Sequence, residues 1–275
     1  MKRLLVTVAL ALLAVPSYAA IQYEFSQKNI TGDAVTPATD LTARATVDGQ
    51  SSRVEFLGGN LYPPGTYVIS TDGFRNLYFV DPQKKWYTEV NTSSITAALG
   101  GGSITIENFK SDVKKLDDQQ IIAGVPTDHY RVTMSYDITL MMKTIPLKQH
   151  VRTDIDTWTT TQFGTVNPNF LGNAARTGNS QLDQLIETET TRVPGFPLRH
   201  QVSIKTNYDA PARTNLQRPT SKSITRETWV TSIRETTAAP GLFTFPATYR
   251  RADQPELPQT GPPTQTLTFE PTGGR

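Results

Sequence analysis

Apolar and polar residues alternate with a period of two along most of this chain, and Thr, Val, Tyr and Ile carry much of that alternation. Such residues suit a pleated surface with one buried face, so the pattern predicts antiparallel β-structure. Ile21 to Ile30 reads as a first strand with Tyr23 and Phe25 on one side. Leu41 to Val47 and Arg53 to Leu57 flank Asp48-Gly49, while Tyr67 to Thr71 and Arg75 to Val80 flank Asp72-Gly73. Both dipeptides are hairpin signals, because Gly tolerates the left-handed backbone that a tight turn needs. Asp81-Pro82-Gln83-Lys84 predicts a third turn, into Lys85 to Val90. The first part of the chain is therefore a meander of short-looped strands.

Strands resume at Ile104. After Gly124-Val125-Pro126 comes the clearest alternation: Tyr130, Val132, Met134, Tyr136, Ile138, Leu140 and Met142 against Arg131, Thr133, Ser135, Asp137 and Thr139. At about 3.4 Å per residue this strand runs beyond roughly 40 Å, long for a globular sheet. Val151 to Phe163 is a second long strand able to pair with it, and Leu198 to Asn207 and Ser221 to Thr236 are two more. A Pro-, Arg- and Asn-containing loop joins the last two. Two segments break the period. Thr92 to Leu99 reads as a short helix capped by Thr92 or Ser93 and stopped by Gly100-Gly101-Gly102. Ser180 to Thr190 places Leu182, Leu185, Ile186 and Glu189 at helical spacing, with Ser180 as its cap and a shorter turn around Phe170, Leu171 and Ala174 before it. The fold class that follows is α+β, mainly β: a curled antiparallel half-barrel sheet with one or two covering helices. A flat open sheet with faces this apolar would aggregate, which is why curl is expected.

Composition then sets the boundaries. Lys2 and Arg3, an apolar run from Leu4 to Val15, and small residues at Ser17 and Ala19 make residues 1–19 a secretory signal with cleavage after Ala19. Residues 20–251 are then one domain, of a size one all-β unit can use up. From 252 to 275 Pro, Gln, Thr and Gly dominate, and such a tail cannot bury enough surface to offset its ordering entropy. The chain has no cysteine, so it can carry neither a disulfide nor the lipid of a bacterial lipoprotein, and a periplasmic or secreted protein with a true core is expected. The whole chain has 27 basic and 25 acidic residues. Without Lys2 and Arg3 the count is 25 of each, which gives no electrostatic pull toward nucleic acid or an anionic membrane surface. No stretch after the signal is long and apolar enough to be a membrane-spanning helix.

Three stretches together resemble a known family. Asn76-Leu77-Tyr78-Phe79-Val80-Asp81-Pro82-Gln83-Lys84-Lys85-Trp86-Tyr87 resembles a hairpin of the DUF4412-type periplasmic proteins. Ala123-Gly124-Val125-Pro126-Thr127-Asp128-His129-Tyr130 resembles their step into a long strand, and Leu242-Phe243-Thr244-Phe245-Pro246-Ala247-Thr248-Tyr249-Arg250 resembles their closing segment. Those proteins are similar in turn to the lipoprotein-carrier (LolA/LolB-like) fold, a half-open antiparallel barrel with helices across its mouth and a cavity for acyl chains. The chain departs from the pattern where Thr127 stands for a frequent Cys, where Thr248 stands for Gly, and in a longer segment from Thr165 to Arg192. The resemblance implies a fold and a compartment, and no reaction.

Candidate chemistry is sparse. His129, His150 and His200 share no metal-binding spacing and fall at or near expected strand ends, where solvation is the ordinary state. Ser111-Asp112-Val113-Lys114 fits S-x-x-K, but on a strand its ends lie on opposite faces and the companion motifs are missing. Gly100 to Gly102 lacks the lysine of a phosphate loop. Asp117-Asp118, and Asp154 with Asp156, are the closest carboxylate groupings; Asp154 and Asp156 share a strand face about 7 Å apart, among Thr-rich polar neighbours that suggest solvation. The remaining constellation is apolar: Tyr78, Trp86, Met134, Tyr136, Met142 and Trp158 fall on strands expected to line a concave face. Met adapts its shape, and Tyr and Trp add contact area with a polar tip, which suits an apolar ligand site. The expected activity is thus non-catalytic binding of an apolar or amphipathic molecule, such as a lipid or acyl chain, without a cofactor. Its rivals are a structural module with a packed interior and an envelope hydrolase using Asp154, Asp156 and one histidine.

Overall fold

In the computed structural model, which describes residues 20–31, 40–73, 76–91, 104–142, 145–163, 184, 192–209 and 221–252, the alternation is realised as one sheet. Its strands are β1 (Ala20–Thr31), β2 (Leu41–Asp48), β3 (Ser51–Gly59), β4 (Tyr67–Ser70), β5 (Asn76–Asp81), β6 (Trp86–Asn91), β7 (Ile104–Ile122), β8 (Val125–Met142), β9 (Ile145–Thr160), β10 (Phe196–Tyr208), β11 (Ser221–Thr236) and β12 (Arg250–Arg251). The spatial order is β12-β6-β5-β4-β3-β2-β1-β11-β10-β9-β8-β7. Every pairing is antiparallel except that of β12 with β6. The sheet is curled and unclosed, and the fold is mainly β as expected. The expected helices at 92–99 and 180–190 fall outside the described residues apart from Gln184, which is helical. The signal segment and the tail after Ala252 also lie outside them.

The turns form where small and acidic residues allow them. Gly49 and Gly73 adopt φ of 57° and 69°, a region that costs most side chains steric strain. The Asp72 carboxylate accepts hydrogen bonds from the Asn76 amide at 3.1 Å and its Nδ2 at 2.7 Å, and Asp81 accepts from the Gln83 and Lys84 amides at 2.9 and 3.0 Å. Such side-chain acceptors stand in for a missing backbone partner and fix the hairpin.

Residues paired across a ladder share a face, so the register defines the core. Tyr23 pairs with Ala45, Ala45 with Val54, Val54 with Val68, and Val68 with Phe79. These residues, with Ile21, Phe56 and Val230, form the main buried cluster. Curling brings the ends of the long strands to the same cluster, where Val125, Phe163, Phe196 and Leu198 join it and the Phe196 ring meets Tyr23 edge-on at 5.1 Å. Further along the same ladders Val132, Met134 and Ile155 make a second apolar group with Val113, Val193 and Val202.

The opposite face of β4 to β6 is apolar too, through Tyr67, Ile69 and Val80. Its cover is the chain after β11, which crosses it as a strap. Phe245 sits 4.5 Å from Tyr87 and 5.7 Å from Tyr78 between ring centroids. Arg53 lies 3.6 Å over the Tyr67 ring and donates from Nη1 to the Leu242 carbonyl. The Arg250 amide then donates to the Lys85 carbonyl and the Ala252 amide to that of Tyr87, so the strap ends as the edge strand β12. The closing segment of the sequence is therefore a clasp that covers a second apolar face. Substituting Phe245→Ala should lower unfolding free energy by about 2 kcal/mol in urea denaturation, as expected for a half-buried ring, while Phe109→Ala at the β7 edge should cost under about 0.5 kcal/mol.

Candidate functional site

The six residues singled out on the sequence do not share one surface. Trp86 packs on the core face beside Phe79, whereas Tyr78 faces the strap on the other side of the same hairpin. Met134 is buried against Val132 and Ile155, and Tyr136, two residues on in β8, shares its face. Trp158 pairs with His129 and so lies on the opposite face from Met134, which pairs with Thr153. Met142 closes β8 opposite Ile145. Alternation fixes the phase within each strand, and the phase between strands comes only from register.

On the Trp158 face the ladders line up an aromatic and charged row that the sequence reading did not assemble. His129 lies inside β8 and is only 4% exposed, so the expectation of a solvated strand-end histidine is overturned. Burial is possible because both ring nitrogens have acceptors. Nδ1 meets Asp118 at 2.7 and 2.9 Å, and Nε2 meets Asp156 at 3.0 Å. Asp118 reaches it from a break in register between Leu116 and Gln120 of β7. The hydrogen bond from His129 holds the Asp118 carboxyl below the usual carboxylate range. Asp156 also accepts from Arg131 Nε at 2.8 Å.

The row continues by stacking. The His129 ring lies 4.0 Å from Trp158 at 15°, and Arg199 Cζ stands 4.7 Å over the same indole. Arg199 in turn donates from Nε to Glu227 at 2.6 Å. Trp158 Nε1 is buried with no acceptor among the described residues, an exception to the rule that buried donors are paired. The other carboxylates are committed as well. Asp154 accepts from Arg152 and Thr133, which hold it below its usual range, and Asp137 accepts from Asn108 and His150. Asp154 and Asp156 are thus ion-pair members of a partly exposed face, each with its own partners. Ser111 and Lys114 of the S-x-x-K match pair with Met134 and Arg131 and point to opposite faces. Among the described residues no group of three or more His, Cys, Asp or Glu could hold a metal ion.

Where this row reaches β11 the surface is hollowed. A shallow, open depression of about 440 Å³ has Ile121, Ile122 and Ala123 of the β7–β8 hairpin end on one side and Arg199, Glu227 and Trp229 on the other. Ile121 is 78% exposed, unusual for an aliphatic side chain. The hairpin turn is strained, since Ala123 takes φ 51° before Gly124 at φ 80°. A left-handed alanine costs roughly 1 kcal/mol or more, and such strain collects at functional surfaces. Lys28 Nζ lies 5.4 Å from the Trp229 ring centroid at the same end of the sheet. The depression thus sets apolar Ile121, Ile122, Ala123 and Trp229 beside Gln120 and the Arg199–Glu227 ion pair. The sequence held one visible signal for it, the consecutive Ile121 and Ile122 just ahead of Gly124. No family model matches this sequence, and no curated protein matches it.

On the reverse face His200 pairs with Thr157 and Thr228, and burial pushes its pKa down from 6.5 to about 4. Between those values the unfolded chain binds a proton that the folded chain refuses, so stability should rise with pH across that window and be complete above it. Urea denaturation from pH 4 to 7 should show a slope up to about one proton steeper in the wild type than in His200→Gln. Ala123→Gly should raise stability by up to about 1 kcal/mol in the same assay, because glycine takes the left-handed turn without strain.

Proposed function

We propose that this protein is an exported envelope protein that binds an apolar or amphipathic molecule reversibly and performs no chemistry on it. The observation that carries the reading is the depression at the β7–β8 hairpin end, where exposed Ile121 and the Trp229 indole lie beside the Arg199–Glu227 ion pair. An exposed aliphatic chain beside a tryptophan is surface that water solvates poorly, and covering each 100 Å² of it is worth about 2.5 kcal/mol. The resemblance to DUF4412-type and lipoprotein-carrier proteins supports the same reading. Export is supported by residues 1–19 read as a signal, with Lys2 and Arg3 at its start, a short apolar run and small residues at Ser17 and Ala19. Against catalysis stands the cluster around His129, where both ring nitrogens are bonded to carboxylates and, among the described residues, no hydroxyl is bonded to either.

A second reading, a structural module with a packed interior, draws on the fully buried Phe196 and Leu198 that fill the main core. Native mass spectrometry on protein secreted into a bacterial periplasm, with organic extraction of what co-purifies, separates the two. Adducts at lipid-like masses that vanish in Ile121→Asp and Trp229→Asp are the expected result. A clean apo mass that stays unchanged after incubation with a lipid extract favours the packed module.

A further inference from the structure

We infer that the depression takes a single-chain amphiphile with an anionic head, its tail against Ile121, Ile122 and Trp229 and its head at Arg199. This inference rests on the binding reading above and specifies its ligand. Size sets the number of chains. About 440 Å³ lies low in the roughly 300–1,000 Å³ range of small-molecule sites and matches about one hydrocarbon chain.

Charge sets the head. Arg199 is ion-paired with Glu227, and Lys28, the cross-strand neighbour of Glu227 on β1, adds a second cation 5.4 Å from the Trp229 ring. Of the acidic residues along the adjoining row, Asp118 is already bonded to His129 and Asp156 to His129 and Arg131. Glu227 takes Nε and Nη2 of Arg199, while Nη1 bonds to none of the described residues. Guanidinium is also the cation best suited to a carboxylate or phosphate, through parallel N–H donors. It lies over the Trp158 indole, with Cζ 4.7 Å from the ring centroid, and Trp158 is itself stacked on His129. The arginine is therefore positioned before any ligand arrives.

The geometry also gives a substitution with the opposite sign. Glu227 competes with a ligand anion for the same guanidinium, so Glu227→Gln should tighten binding where most changes at a site weaken it.

The test uses the full mature chain with four probes: hexadecanoate, hexadecan-1-ol and hexadecyltrimethylammonium, each below its aggregation concentration, and vesicles of a diacyl phosphatidylglycerol. Calorimetry and tryptophan fluorescence report binding. Hexadecanoate should bind one per chain, with the alcohol and the ammonium at least about tenfold weaker. Glu227→Gln should bind hexadecanoate several-fold more tightly, and Arg199→Gln about tenfold or more weakly. Because Arg199 also packs on Trp158, the Glu227→Gln result stands even where Arg199→Gln fails to fold. Equal affinity for the alcohol, or preference for the ammonium, overturns the anionic head. Uptake of the diacyl lipid without hexadecanoate overturns the single chain and leaves the binding reading in place. Failure of all four probes, together with a clean mass from the periplasm, removes both.

Discussion

The ladder between β1 and β11 is the constraint on which the molecule depends. Leaving aside the two-residue edge strand β12, six strands lie to one side of it, β1 to β6, and five to the other, β7 to β11. Each group is a run of neighbours in sequence and could pair locally, but only β1 against β11 makes them one sheet. Thr231 donates to the Glu24 carbonyl across 207 residues of sequence, a contact with a large loop-closure cost. That cost is offset by the core on one face of the joint, where Tyr23, Phe25, Val230 and Ile233 meet. The break in register between Glu24 and Phe25 adds twist at the same place, and twist lets an open sheet curl over its own apolar face.

The second group of strands does something different with its other face. Asp118, His129, Trp158, Arg199 and Glu227 run across five adjacent strands as hydrogen bonds and stacked planes. Burying an ion pair costs desolvation, and this row limits the cost by keeping its carboxylates partly wet while the histidine and indole between them are dry. The arrangement fixes side-chain positions across strands where backbone ladders alone fix only the main chain. The depression sits at the end of this braced row, so its arginine inherits that rigidity.

Much of the architecture was readable from residues alone. Asp48-Gly49, Asp72-Gly73 and the Asp81 turn carry local chemistry, and local chemistry is what a single sequence displays; Ser221 to Thr236 has the same bounds in the structure. The long alternation from Tyr130 to Met142 likewise became β8. Relations between strands were not readable. Nothing in the spacing of Asp118, His129 and Asp156 announces that an irregular register in β7 will turn the first toward the second. For the same reason Trp158 and Met134, both apolar strand residues, proved to lie on opposite faces. The closing Leu242 to Arg250 segment stood out in sequence for its aromatics, yet only the structure reveals the aromatic strip of β4 to β6 that receives them.

The clasp has a consequence for the life of the chain as it is made. Phe243, Phe245 and Tyr249 are synthesised long after the Tyr67, Tyr78 and Tyr87 surface that they cover, and until they arrive that surface and the β6 edge stand bare. Bare aromatic surface beside an unpaired strand edge is what chaperones hold and proteases cut. Termination or clipping upstream of Leu242 would therefore leave that surface and that edge uncovered, and the clasp ties the exposure of one half of the sheet to the presence of a segment far along the chain.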